Sequence, residues 1–428
     1  MYQFSQKNKK IIIFIMLIGF FLLFFDQILF SKKIFFSKKK ELFLERKSTE
    51  NKKNAFQKAE KTENKPWIGL YMSLFYFTSI SLGSLFFLGI QYVSKSGWSI
   101  IIHPIMEEVS SFLPYGGVMI LIILLLNAMD YIHIFHWMDP TLYDPTSLEY
   151  DKVIASKKLF LNIPFFLIRS FIYIIGWCFF YFKIKKTSSI LDKTCSLKDY
   201  KKLNFLSIIF IIFFSITSIF MGWDWIMSLN PHWFSTLFSW YVLSTYIVTG
   251  ISTITIIAIY LKKKGCLPFF NENHLHDLSK YLFSTSLLWT YLWFSQFILY
   301  WYGNIPEEIS FFLKREEVYG SIHFWMLISN FLIPFLGLMS SRCKTNPRIV
   351  FTIASILLFG HYIDIYNLIA PDVNGIFDPK FGLSEIGSFL LIGSIFCYIL
   401  FSNLNKKKLH SIGNPLFQES KKYKYPYI

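Results

Sequence analysis

Long apolar runs alternate with short polar connections along this chain, and the runs decide its class. Ten can be read, at roughly 11-30, 68-93, 112-129, 159-182, 203-222, 233-261, 279-302, 322-341, 349-369 and 384-402. Each holds about 20 residues, enough for a helix to cross a ~30 Å hydrocarbon layer. Lipid offers no partner to an open backbone, so such runs cross as helices. The pattern predicts an all-α integral membrane protein of about ten transmembrane helices. Spacing divides spans 2-5 and 6-9 into two four-helix bundles, with two peripheral helices. Residues 1-66 read as an anchor helix followed by a basic hydrophilic segment, 67-402 as the polytopic domain and 403-428 as a basic tail. At the start of span 6, Asn230 is a natural N-cap and Pro231 fits the first helical position.

Composition agrees with that class. Hydrophobic residues make up 54% of the chain, aromatics 20% and charged residues 16%, against about a quarter charged in soluble domains. The net charge of +16 lies in loops and tails, which points to anionic lipid headgroups and not to nucleic acid. Connections on the side of the N-terminus hold 23 Lys and Arg, and the loops after spans 3, 5, 7 and 9 on the other side hold 6. Both termini are therefore expected in the cytoplasm. The stretch from Ser31 to Lys65, with 12 basic residues, falls on the sparse side and disagrees. The five cysteines form no CxxC or CxxCH motif, so no covalently bound cofactor, iron-sulfur cluster or metal is expected in this chain.

Ionisable residues inside spans are costly and tend to mark paths or sites. In this topology Asp26, Asp130, Asp224, Gln296, His323, His361, Asp364 and Glu385 fall toward the outer rim, and the cytoplasmic half is nearly free of such groups. His361 and Asp364 share one face of span 9, with Asn367 a turn further on. A His beside a carboxylate can accept a proton and pass it on, because the carboxylate stabilises the imidazolium. The same pair can equally clamp helices together. Arg169 in span 4 needs a counter-charge, with Asp364, Asp130 and Glu385 as candidates. Trp289, Trp293, Gln296 and Tyr300 recur at helical spacing, a face that can hold a planar ring or pack a neighbouring helix. Asn127, Asp130, His133 and His136 form a three-residue track if the helix continues that far. His274, His276 and Asp277 invite a metal reading that their spacing disfavours, and Asp277 can pair with Lys280.

Five segments carry a resemblance. The run Gly222 to Thr236 (GWDWIMSLNPHWFST), the run His274 to Leu278 (HLHDL) and the run Trp289 to Gln296 (WTYLWFSQ), with Asn304 to Glu308 and Gly360 to Asp364, resemble the F-type membrane subunit of bacterial alternative complex III. That family is related to the NrfD and polysulfide-reductase membrane anchors, and the likeness covers residues ~67 to ~400. It implies ten spans around two four-helix bundles in the bacterial inner membrane. It also implies a respiratory quinol:cytochrome c (electron acceptor) oxidoreductase, with quinol or menaquinol as substrate and electrons passing to iron-sulfur and multihaem cytochrome c subunits. The better-supported quinol pocket of that family belongs to a sister NrfD-like subunit, so scaffold and proton-path roles are the safer expectation here. Candidate proton-path residues are His361, Asp364, Asp224, His232 and Asp130. Gln296, Trp293 and Arg169 are candidates for contact with a ring. A secondary transporter of a small solute and a purely structural anchor are the rival readings.

Overall fold

A computed structural model describes residues 2–43, 65–374, 382–407, 409 and 411–425. The chain is all helical, with no strand among the described residues. The main elements are α1 (Gln6–Phe43), α2 (Lys65–Val93), α3 (Trp98–Ala128, two 3-10 turns alternating with α-helix), α4 (Ile163–Thr194), α5 (Leu197–Trp225) and α6 (Phe238–Lys263). They continue as α7 (Glu272–Gly303), α8 (Pro306–Glu317), α9 (Gly320–Gly337), α10 (Pro347–Asn374) and α11 (Leu383–Lys406). Nine helices among the described residues are long and apolar enough to cross a membrane. The tenth expected span, α7, is as long at 32 residues but more polar. It runs the depth of the bundle, bonding through His274 to the Ser420 carbonyl at one end and through Tyr300 to Glu316 at the other.

Packing gives the two bundles. Helices α2, α3, α4 and α5 each touch the next in a ring, as do α6, α7, α9 and α10, and the rings meet where α2 and α5 lie against α6. Helices α1 and α11 stand outside as a pair, with α11 resting on α2. The outward faces are apolar: Ile168, Ile172, Ile175, Phe179 and Phe182 recur at helical spacing along α4 and are all more than half exposed. Polar side chains point inward, as lipid surroundings require. The chain is a multi-pass membrane protein.

Two close approaches hold this arrangement. A Cβ on Gly83 of α2 would overlap the Tyr246 carbonyl of α6, and one on Gly250 would lie 2.7 Å from the Gly83–Ser84 backbone. A similar approach brings Gly19 of α1 within reach of Gly387 and Leu391 of α11. Small residues serve this purpose in membranes, where dispersion contacts replace the hydrophobic drive between helices.

Residues 2–5 and 411–425 gather on one face, called here the terminal face. The Phe4 N–H donates to Asn405 Oδ1 at 2.9 Å. Residues 411–425 fold back over that face as a docked strap. Ser420 Oγ donates to the Trp98 carbonyl at 2.7 Å, and Tyr423 OH donates to Asp277 Oδ2 at 2.5 Å. His274, His276 and Asp277 thus meet the strap, with Tyr425 beside the His276 ring. Lys280 lies 3.3 Å from Asp277.

Several boundaries differ from the sequence reading. Spanning helix α3 begins at Trp98, not near residue 112. Helix α6 begins at Phe238, so Pro231 is not its first residue, and Asn230 instead ends a short 3-10 turn over Met227–Leu229. Helix α1 continues past residue 30 to Phe43. The rest of the basic stretch to Lys65, apart from Lys65 itself, lies outside the described residues.

An alanine at Gly83 must push α2 and α6 apart, an overpacking cost of about 1–3 kcal/mol. Gly83→Ala is expected to lower the thermal unfolding midpoint in detergent. Gly320→Ala, whose Cβ meets open space, should leave that midpoint in place.

Candidate functional site

The second bundle buries a polar centre assembled from four helices. His361 and Asp364 on α10 are both fully buried, with Nδ1 3.5 Å from Oδ2. Their spacing of three residues places them on one helix face. Asp364 Oδ2 accepts from Thr245 Oγ1 at 3.0 Å and from Trp289 Nε1 at 3.0 Å, and Oδ1 accepts a short bond from Tyr241 OH. Three donors from α6 and α7 therefore hold the carboxylate, with the imidazole beside it. Neither ring nitrogen of His361 has a hydrogen-bond partner. The Trp289 ring meets the His361 ring edge-on at 5.4 Å.

Next to His361, the chain leaves ordinary helix geometry. Helix α9 contains a π-turn over Ile328–Leu332, a feature frequent at functional sites. Asn330 in that turn is fully buried, and neither its amide nitrogen nor its side-chain oxygen has a partner. Gly360 lets this turn approach, since a Cβ there would collide with the Asn330 and Ser329 side chains.

One turn further from the terminal face lies a cavity of about 30 Å³ lined by Tyr241, Trp293, Gln296, Arg315, His323 and Asn367, among others. That is room for a single water molecule. Tyr241 joins this cavity to Asp364. Asn367 Nδ2 donates to His323 Nδ1 at 3.2 Å, and Ser235 Oγ donates to Gln296 Oε1 at 2.8 Å. Trp293 and Gln296 line this cavity, which Tyr241 joins to the His361–Asp364 pair. Arg315 closes the cavity from α8. It bonds the Phe311, Asn367 and Leu368 carbonyls and reaches Asp372 Oδ2 at 2.6 Å. No sequence signal singled out Arg315, because it falls in a connection where a basic residue reads as topology.

Arg169 and Asp224 belong to the other bundle. Their contact is bidentate, with Nε–Oδ2 at 2.8 Å and Nη2–Oδ1 at 2.6 Å, and Tyr173 OH adds a third bond at 2.7 Å. The guanidinium lies 4.1 Å from both the Phe160 and Phe165 ring centroids. None of the three expected counter-charges, Asp364, Asp130 and Glu385, pairs with it. The partner is Asp224, because α4 and α5 form one helical hairpin and bring their ends on this side together. Its N–H donors go to this pairing and to the Phe160 carbonyl, and the rings it meets are those of Phe160 and Phe165.

Two proton-path candidates lie outside any buried track. The Asp130 side chain is 85% exposed and pairs with His133 at 3.2 Å, in the turn just beyond α3. Helix α3 stops at Ala128, so the Asn127, Asp130, His133, His136 track does not form. Asn127 Oδ1 accepts from the Ile134 and Phe135 N–H groups instead. His232 is 54% exposed and pairs with Asp151 at 2.9 Å.

The expected void of ionisable groups in the other half of the bundle is also overturned. Near the terminal face, Glu107 and Glu108 of α3 are each 1% exposed. Lys185 Nζ donates to Glu108 at 2.8 Å, Ser188 Oγ donates to Glu107 at 2.5 Å, and Lys407 bonds Glu107 closely while lying 3.5 Å from Glu108. Burial alone disfavours the Lys407 ammonium, but the two carboxylates overcome it and hold its pKa above the ordinary value. Among the described residues, no group of three or more His, Cys, Asp or Glu side chains is placed to hold a metal ion.

Breaking a buried ion pair leaves an uncompensated charge, at about 3–5 kcal/mol. Asp224→Asn and Arg169→Met are each expected to lower the thermal midpoint strongly. The double variant should cost less than the two single changes added together.

The buried His361–Asp364 centre thus remains as the candidate site, in a chain that no family model and no curated protein matches.

Proposed function

We propose that this chain is an integral subunit of a respiratory quinol:electron acceptor oxidoreductase, contributing scaffold and a proton path. The observation that carries this reading is the meeting, at one buried centre, of three segments that resemble the alternative complex III family. Ser235 comes from the first, Trp289, Trp293 and Gln296 from the second, and His361 and Asp364 from the third. Ionisable groups inside a bilayer carry a desolvation cost and tend to mark paths or sites. Quinol oxidation releases two electrons and two protons. Electrons pass to iron-sulfur and haem centres on partner subunits, and the protons need acceptors within this bundle. His361 is placed to take a proton at an unpaired ring nitrogen, with Asp364 neutralising the imidazolium. Tyr241 and the small cavity continue toward the face opposite the termini. The charge balance of the connections supports a cytoplasmic terminal face, and the resemblance implies a bacterial inner membrane.

Purification in mild detergent tests the assignment. Co-elution with multihaem and iron-sulfur proteins supports it, and isolation as a lone solute-binding chain rejects it. In the assembled complex, Asp364→Asn and His361→Ala should each slow quinol-dependent reduction of the acceptor by about a hundredfold or more. A purely structural anchor would keep its full rate with either change.

A further inference from the structure

The terminal face carries a second cavity, separate from the polar centre and larger than any part of it. It holds about 1100 Å³ between the end of α6 and the starts of α7 and α10. Typical small-molecule sites span ~300–1,000 Å³, so the space admits a large molecule. Lys262, Lys263 and Arg348 line it, with Glu272 as the single acidic residue. All three cations are exposed, and among the described residues none of them forms an ion pair. The remaining walls are mainly apolar, including Ile259, Phe270, Leu275 and Phe351.

Its position gives the cavity access to lipid. Arg348, Phe351 and Phe359 lie on one outward stripe of α10, and Phe351 and Phe359 are 42% and 64% exposed. The cations sit at helix ends, at the level where a spanning helix leaves the hydrocarbon. A basic rim over apolar walls at that depth matches one chemistry, a phosphate joined to acyl chains.

We propose that this cavity binds one anionic glycerophospholipid, its phosphate held by Lys262, Lys263 and Arg348 and an acyl chain running along Phe351 on the outer face of α10. The site is independent of the oxidoreductase assignment, since it uses none of the polar centre.

Native mass spectrometry of the full chain, with any subunits that accompany it, tests this directly after titration with phosphatidylglycerol or phosphatidylcholine. Phosphatidylglycerol should bind at one saturable site and raise the thermal midpoint, and phosphatidylcholine should do neither. The Lys262→Ala/Lys263→Ala/Arg348→Ala variant is expected to bind phosphatidylglycerol on the order of a hundredfold more weakly, from about 1 kcal/mol per cation. A matched change of Lys198, Lys201 and Lys202, exposed on the same face, should leave binding intact. If the alanine variant fails to fold, Lys262→Arg/Lys263→Arg/Arg348→Lys preserves the charge and should preserve binding. Equal binding of phosphatidylcholine overturns the proposal, as does undiminished binding by the alanine variant or an equal loss in the matched control. An equal thermal shift from inorganic phosphate alone would mean an ion site without a lipid, and also overturns it.

Discussion

Hydrocarbon supplies no hydrogen-bond partner, and that constraint organises everything else in this molecule. Each helix meets its own backbone requirement. Each buried side chain must then find its partner inside the protein. The outward faces of α4 and α5 are accordingly Ile and Phe, and the interior holds serines, threonines and ion pairs. Ser81 and Ser84 of α2 donate to the Val109 and Met106 carbonyls of α3. Polar contacts join helices here as aliphatic packing joins them in water-soluble bundles.

Against that background, the unpaired groups stand out. Arg169, Arg315, Glu107 and Glu108 are saturated by counter-charges and carbonyls, which fits fixed structural joints. The ring nitrogens of His361 and the amide of Asn330 lack partners although both residues are fully buried. Asn330 lies within the π-turn, and His361 stands beside a carboxylate held by three donors. Glu385 Oε1, His103 Nδ1 and Gln91 Nε2 are buried without hydrogen-bond partners as well, and what sets His361 apart is the Asp364 carboxylate 3.5 Å from its ring. The same asymmetry separates Arg169–Asp224, a closed unit, from His361–Asp364, in which both ring nitrogens lack a hydrogen bond.

Much of the fold was legible because an uninterrupted apolar run of about 20 residues has few alternatives. The exceptions have physical causes. The first half of α3 reads as a loop because Glu107 and Glu108 interrupt its hydropathy, and their partners Lys185 and Lys407 lie 77 and 300 residues away. Pro231 suggests a helix start, yet the chain makes a tight turn first and enters α6 seven residues later. The pairing of His361 with Asp364 was readable because both sit on one helix. Tyr241 and Thr245 were not, since they arrive from 123 and 119 residues upstream on α6. Asp130 falls in the exposed turn beyond α3 because spacing alone does not reveal where a helix ends, and His232, a candidate from the resembling run, lies exposed beside Asp151.

The pairing of α1 with α11 has a consequence for biogenesis. Phe4 and Asn405, which meet across that pair, are separated by 401 positions in the chain. At ribosomal speeds of about 5–20 residues per second, α1 enters the bilayer roughly 20–80 s before its partner emerges. During that interval the Gly19 surface, shaped for another backbone, faces lipid or an insertion chaperone. The outermost pair of helices is therefore the last to close, and a nascent chain stalled before α11 would display an unfilled groove that quality-control proteases can recognise.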